Sequence, residues 1–406
     1  MWLYIQPNDA IFLKDGRAFD AGGNLYAGNL FPPYPPTCYG LIRTLLVHLV
    51  SPQIDYHDFF LHVPEKYHEL LGNKNKMGEL SIKGAFIGEQ YDEGITVYIK
   101  SPADLFYKKN DDNDDIEWFL LQPEENSILM DFSNIDIPFH ELSIPTDLEP
   151  AAHFIDQDNG LETYLMGKTT NSFLMKNTLI ESCWETEQST IIERVQDTLI
   201  AKDHQLAFPN YTRMNENFGL LVQLDDNLAE HFQTTHIVRL GGEGRVCHMS
   251  QQSIKSICDP QKLIQRIQDS NGRFKVILVT PGYFENNGYY PDFLTLCSNN
   301  NDHQKMLKGE WIISDLKKQV RLVSMTANRA ERIGGWDLAK GEPKTMVKAV
   351  PAGSVYFFEI IHFNKNEDQN WITQLVQTSL PGTLPGDVTY CKQGFNTFII
   401  GGWDYV

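Results

Sequence analysis

Apolar positions along this chain come in two rhythms. Phe218-Gly-Leu-Leu-Val-Gln-Leu224 and Phe274-Lys-Val-Ile-Leu-Val-Thr280 are short and almost continuous, the signature of buried strands. His236 to Leu240 and Arg245 to Ser250 predict two further strands, and Asp225 to Phe232 a short helix with Asp225 or Asp226 as its cap. At Asp259-Pro260 a capping residue precedes a proline, the start of a helix whose apolar face is Leu263, Ile264 and Ile267 and whose end is Asn271-Gly272. Over 218–280 the order is therefore β-α-β-β-α-β, the ferredoxin-like (RRM-like) unit, with a glycine loop joining its two middle strands.

The first half carries the beginning of a similar plan. Residues 2–5 alternate as a strand, and Leu80 to Gly88 and Gly94 to Lys100 predict two more. Between them Leu41, Ile42, Leu45, Leu46 and Leu49 make one face of a helix capped by Thr37, with Arg43 and Thr44 toward its other side. The stiff Phe31-Pro-Pro-Tyr-Pro-Pro36 stretch leads into that helix; as a ligand for a proline-reading domain it has an alternative use. A strand at 118–121 interrupts an otherwise loop-rich 101–160, and Asp203-His204-Gln205 reads as a turn. Later strands fall at Val320 to Met325, Val355 to Ile361 and within Gly394 to Trp403. The expectation is an α+β protein of two ferredoxin-like lobes, 1–205 and 206–406, with long insertions and glycine-rich loops.

Composition narrows the class. At 406 residues two or three domains are expected, and 42% hydrophobic with 12% aromatic residues are enough to bury a core. The six cysteines form no CxxC pair, which argues against a zinc or disulfide framework and for a reducing, cytoplasmic setting. The N-terminus lacks a secretory pattern, and no apolar run reaches the roughly 18 residues of a membrane span. A formal charge of −19 argues against a protein that coats nucleic acid non-specifically, while leaving room for a basic groove. Part of the excess sits in Lys108 to Glu117, with four aspartates: a solvated tip, or an ion or partner patch.

Two stretches reverse the acidic trend. One is the glycine loop, Arg239-Leu-Gly241-Gly242-Glu-Gly244-Arg245, which suits a plain hairpin turn or a cradle of N–H groups and guanidinium forks for phosphate. It has neither the dinucleotide-binding glycine spacing nor a Walker-type lysine. The other holds Arg329, Arg332, Gly334, Gly335, Trp336, Lys340, Lys344 and Lys348. A bound RNA needs phosphate contacts and aromatic faces for unstacked bases. Arg239, Arg245, Arg329, Arg332, Lys340 and Lys344, with Arg43 and with Lys14 and Arg17 beside the Asp15-Gly16 turn, would supply the first; Trp336, Tyr283 and Tyr390 would supply the second. Each has an ordinary structural use as a surface ion pair or a core anchor. His248, beside the glycine loop, is the candidate general acid if there is any chemistry. No HxxxH, HExxH or paired His-Asp pattern offers a metal site, and nothing calls for a cofactor.

Taken together, several phrases resemble the RAMP superfamily of CRISPR proteins, and within it the third subunit of the type III-B (Cmr) effector. They are Phe12-Leu-Lys-Asp-Gly-Arg-Ala-Phe19 with the Pro-Pro-Tyr-Pro-Pro helix start through Arg43; Leu240-Gly-Gly-Glu-Gly-Arg245; Ile333-Gly-Gly-Trp-Asp-Leu338 leading to Pro343-Lys344; Val350-Pro-Ala-Gly-Ser-Val-Tyr356; and the terminal Gly-Gly-Trp403. Ala18 departs from the proline usual in that family after the first Asp-Gly-Arg. The resemblance implies two ferredoxin-like lobes facing a cleft. It implies a non-catalytic subunit that grips the repeat-derived 5′ handle of guide RNA (crRNA), docks on the large polymerase-like subunit and neighbours the backbone RAMP subunits in antiviral defence. A RAMP-type endoribonuclease that processes guide-RNA precursors, and a scaffold that binds only protein, are the other readings.

Overall fold

The computed structural model describes residues 1–14, 26–27, 29–50, 64–73, 76–92, 94–109, 116–132, 135–142, 148–151, 154–168, 179–180, 183–194, 197–198, 200–285, 288–298, 305–337 and 341–405. Strands predominate, helices are few, and the protein is mixed α+β, built on two large antiparallel sheets. Arg17, Lys340, the Asp15-Gly16 turn and the aspartates at 111–115 lie outside the described residues.

The first sheet takes β1 (Trp2–Pro7), then, after α1 (Pro35–Val50), β2 (Ile82–Tyr91), β3 (Gly94–Lys100), β4 (Phe218–Leu224), β5 (His236–Arg239) and β6 (Val246–Gln252). Its spatial order is β3-β2-β4-β1-β6-β5, with Phe154–Asp156 and Leu179–Ile180 beyond β3. The second half begins with α2 (Pro260–Asp269) and β7 (Arg273–Leu278). It continues through β8 (Lys305–Ile313), β9 (Leu316–Thr326), the small ribbon β10 (Glu331–Ile333) with β11 (Val347–Ala349), β12 (Val355–Ile360), α3 (Lys365–Thr378), α4 (Val388–Lys392) and β13 (Thr397–Gly402). The second sheet runs β8-β9-β12-β7-β13, flanked by Thr295–Ser298 and Gly382–Thr383.

The run 218–280 is therefore not one sheet, contrary to expectation. β4 and β6 both pair with β1 at the start of the chain, whereas β7 pairs with β12 and β13 near its end. Local patterning shows that a segment is a strand but not which distant strand it will meet. The expected division at 205/206 falls inside the strand Ala201–Met214; the chain changes sheets between β6 and β7 instead.

Local signals fared unevenly. Asp259 caps α2, accepting from the Gln261 N–H at 2.9 Å, and Asn271 and Gly272 follow that helix at positive φ. The helix expected after Thr37 starts earlier, at Pro35, and Thr37 sits in its first turn with its N–H on the Tyr34 carbonyl at 3.0 Å. Proline suits a first turn because its N–H would have no partner there. Residues 226–232 form a 3-10 helix; Asp225 stands at its cap with no side-chain bond, and Asp226 instead takes the N-terminal amine. The 101–160 stretch is strand-rich (105–109, 116–120, 123–132 and 135–142), and 203–205 lies within a long strand rather than a turn. β8 and α3 had no counterpart in the sequence reading; Asn364 caps α3 by accepting from the Asn366 and Glu367 N–H groups.

Two buried layers explain the continuous apolar runs. Leu3 and Ile5 of β1, Leu220 and Val222 of β4 and Met249 of β6 pack with Ile42 and Leu46 of α1. The alternate residues Tyr4 and Leu221, with Phe86 and Val97, join Val276, Phe358 and Ile400 of the second sheet in one core. A strand covered on both faces has no polar alternation. The terminal Gly-Gly-Trp serves this packing: helix Glu162–Leu165 lies so close to Gly401 that a Cβ there would collide with Leu165, and the Trp403 Nε1 donates to the Phe274 and Phe358 carbonyls at 3.1 and 3.0 Å.

Candidate nucleic-acid interface

The glycine loop forms the β5–β6 hairpin at the edge of the first sheet among the described residues, closed by the Leu240 N–H on the Arg245 carbonyl at 2.9 Å. Gly241 and Gly244 lie at φ +75° and +65°, where glycine alone is unstrained. A Cβ on Gly241 would also drive into the Phe12 carbonyl oxygen, which accepts the Gly242 N–H at 2.8 Å. So the loop is anchored on Phe12 and one of its amides is already spent, while Lys14 bridges to Asn29.

Its two arginines differ. Arg239 is exposed on β5. Arg245 lies over the Tyr211 ring, 4.8 Å from its centre, and is flanked by carboxylates: Glu243 at 3.1 Å from Nη2 and Asp9 at 3.5 Å from Nη1. Asp9 also accepts from Arg213 at 2.8 Å, Arg213 pairs with Glu187, and the Tyr211 hydroxyl donates to Glu243 at 2.9 Å. A backbone hydrogen bond from Ala10 and the Arg213 guanidinium hold the Asp9 carboxyl below its ordinary range. None of Asp9, Tyr211 or Arg213 was marked in the sequence; Asp9 lies 236 positions from Arg245. His248 is exposed on β6 and shares a hydrogen bond with the Asn8 amide at 3.1 Å.

The second stretch folds into the β10–β11 ribbon, extended by Trp336–Asp337 against Glu342–Pro343 and by the Lys344 N–H on the Gly335 carbonyl at 2.8 Å. Its inner face, Ile333 and Ala349, packs on Phe395, Tyr283, Tyr390 and Tyr34. On its outer face Arg332 stands directly across the ladder from Lys348, and both are exposed. Lys348 Nζ lies 4.4 Å from the Tyr289 ring centre. Arg329, just before the ribbon, is exposed as well, and among the described residues no carboxylate pairs with Arg329, Arg332 or Lys348. The acid of the ribbon, Glu331, is turned away to Lys100 of β3 at 4.0 Å. Tyr283 and Tyr390 meet in a tilted contact, ring centres 4.1 Å apart, half-buried, with the buried Asn396 amide holding the Tyr283 backbone on both sides.

Beside Glu331 opens a cavity of about 140 Å³ between the two sheets. Phe31, Tyr34, Phe86, Tyr98 and Phe154 line it together with Lys100. The Tyr98 hydroxyl donates to Glu89 at 2.6 Å, and burial together with that carboxylate pushes its phenol up, so it remains a donor. Thus the ribbon and the aromatic cavity adjoin. The glycine loop lies four to five strands away across the first sheet, about 20–24 Å at normal strand spacing. Arg43 belongs to neither group: its Nε donates to the Leu71 carbonyl at 3.0 Å and ties α1 to a neighbouring turn.

The family described as CRISPR-associated protein (Cas_Cmr3) matches residues 3–403. Among solved structures, a chain of a cryo-EM structure of the Type III-B Cmr-beta bound to cognate target RNA is similar, at 14% identity and a TM-score of 0.47 over 98% of this chain and 96% of that one. A chain of the same assembly with cognate target RNA and AMPPnP gives 15% and 0.48, over 98% and 96%. A chain of the Csm3-Csm4 subcomplex of the type III-A CRISPR-Cas interference complex gives 12% and 0.31, over 90% and 95%. No curated protein matches.

Proposed function

The chain belongs to the CRISPR-associated protein (Cas_Cmr3) family, and on that footing we propose that it is a non-catalytic, RNA-binding subunit of a type III-B effector complex. In this reading the two sheets are the cores of two ferredoxin-like lobes. The β10–β11 ribbon holds the phosphates of the repeat-derived 5′ handle of the guide RNA, and the adjoining aromatic cavity receives an unstacked base. The glycine loop provides a second, more distant contact to the same strand. Remaining surface docks the large polymerase-like subunit and a backbone RAMP subunit.

The observation that carries the reading is the Arg332–Lys348 pair. Like charges directly opposite in a ladder destabilise it. In a chain with 53 acidic and 34 basic residues, a carboxylate partner would be easy to supply, yet the ribbon's own acid faces away. An unneutralised pair of cations beside Tyr289 and Arg329 suits a polyanion. The test is a titration of the purified protein with labelled handle RNA and a scrambled control, followed by a denaturing gel. Selective binding with intact RNA supports the proposal. Cut RNA moves the protein to the processing endoribonucleases, and binding to partner subunits with none to RNA makes it a protein-only scaffold.

A further inference from the structure

Glu243 is the one non-glycine residue of the loop with positive φ, at +60°. Side chains other than Asn and Asp seldom settle in that region. The strain is matched by what the carboxylate does: one oxygen caps Arg245 Nη2 at 3.1 Å and the other accepts from the Tyr211 hydroxyl at 2.9 Å. Two oxygens shared between a guanidinium and a hydroxyl are the arrangement a phosphodiester would offer to the same donors. The Glu243 side chain is 40% exposed and Arg245 31% exposed, so this pair is readily exchanged.

We infer that Glu243 is an intramolecular stand-in for an RNA phosphate. It keeps Arg245 over the Tyr211 ring while the site is empty and swings out when a phosphodiester takes its place. Asp9, which faces the other arm of Arg245 and is itself held by Arg213, stays as the fixed side of the cradle. The loop thereby rejects isolated small anions, which cannot outcompete a tethered carboxylate, and admits a strand already held elsewhere on the protein. The inference rests on the reading that this loop meets RNA.

The experiment uses the full chain and labelled single-stranded handle RNA at several salt concentrations. Glu243→Gln preserves size and an acceptor for Tyr211 but removes the competing charge. Affinity should rise about two- to fivefold, since an exposed ion pair is a weak competitor. The salt dependence should steepen by about 0.7 in log–log slope, because the cation that RNA releases at that phosphate is then no longer offset by one taken up at the displaced Glu243 carboxylate. Glu243→Gly, relaxed at this φ, should act in the same direction, and adding Arg245→Ala should erase the gain. If Arg245→Ala weakens binding while both Glu243 variants leave it unchanged or weaker, the phosphate contact stands and the stand-in is refuted. If Arg245→Ala has no effect in either background, the loop does not meet RNA and the underlying reading fails there.

Discussion

Lys275 Nζ lies 2.9 Å from Asp104 Oδ2, with 2% and 0% of the two side chains exposed, and the pair ties the second sheet to the first. Lys275 belongs to β7, Asp104 to the turn after β3. Tyr164 completes the group: its hydroxyl donates to the other Asp104 oxygen at 2.7 Å, and its ring lies 3.5 Å from the ammonium. Burial pulls the Lys275 pKa down while Asp104 resists it, and burial pushes the Tyr164 phenol up. Around this group the Ala103 N–H meets the Gly353 carbonyl at 2.8 Å and Thr326 donates to the Ala103 carbonyl at 3.1 Å.

Removing one member of a buried pair strands the other charge. Lys275→Met should therefore cost about 3–5 kcal/mol. Adding Asp104→Asn, which discharges the stranded carboxylate and keeps an acceptor for Tyr164, should return part of that loss. Urea unfolding of the two variants checks this. A double variant no more stable than Lys275→Met would show that the loss comes from packing and not from the uncompensated charge.

The ribbon should show binding and stability moving in opposite directions. Lys348→Glu places an opposite charge across from Arg332 and should stabilise the ladder by about 0.2–1 kcal/mol. The same change should weaken handle binding on the order of tenfold, as expected for a lost charged contact. Lys348→Ala and Arg332→Ala should each flatten the salt dependence by about 0.7. Unaltered RNA affinity in Lys348→Glu would take the ribbon out of the interface.

What the sequence disclosed was local. The runs 218–224 and 274–280 were legible as strands, found at 218–224 and 273–278, because burial on both faces leaves no polar alternation, and Asp259-Pro260 marked its helix because capping acts within three residues. The basic character of 329–348 was visible, but not that Arg332 and Lys348 share a face while Glu331 turns to Lys100. Nor could spacing show Asp9 beside Arg245 or Asp104 beside Lys275; those neighbours are set by strands that meet across more than a hundred residues. The strand 201–214 escaped notice because a polar run, Lys202-Asp-His-Gln205, is followed by an apolar one with a proline, Leu206-Ala-Phe-Pro209, so no period of two marks it.

Gly241 should be the least replaceable position of the glycine loop. Alanine there meets both a left-handed backbone and the Phe12 carbonyl, so the 11–14 segment or the hairpin must shift. Gly241→Ala should cost about 1–3 kcal/mol. Gly244→Ala faces the strain alone, since its added carbon would touch only the Arg239 side chain at ordinary contact, and should cost less. Equal melting points for the two variants would mean that the Phe12 contact contributes nothing.

Asp404 should make stability sensitive to acid. Partial burial pushes its carboxyl up, but hydrogen bonds from Arg273 and Arg266, at 2.8 and 2.7 Å, outweigh this and hold it below the ordinary range. A depressed carboxylate contributes stability that is complete above its unfolded value, near pH 4, and is lost as the pH falls through the folded value. With 42% of the side chain exposed, water screens the pair, and the contribution should be about 1 kcal/mol or less. Asp404→Asn should thus be less stable than the parent at neutral pH, and the two urea curves should converge as the pH drops from about 4 to below the folded value. A gap that stays constant down to that pH would show that the carboxylate's charge is not what couples Arg266 of α2 to Arg273 of β7 at the end of the chain.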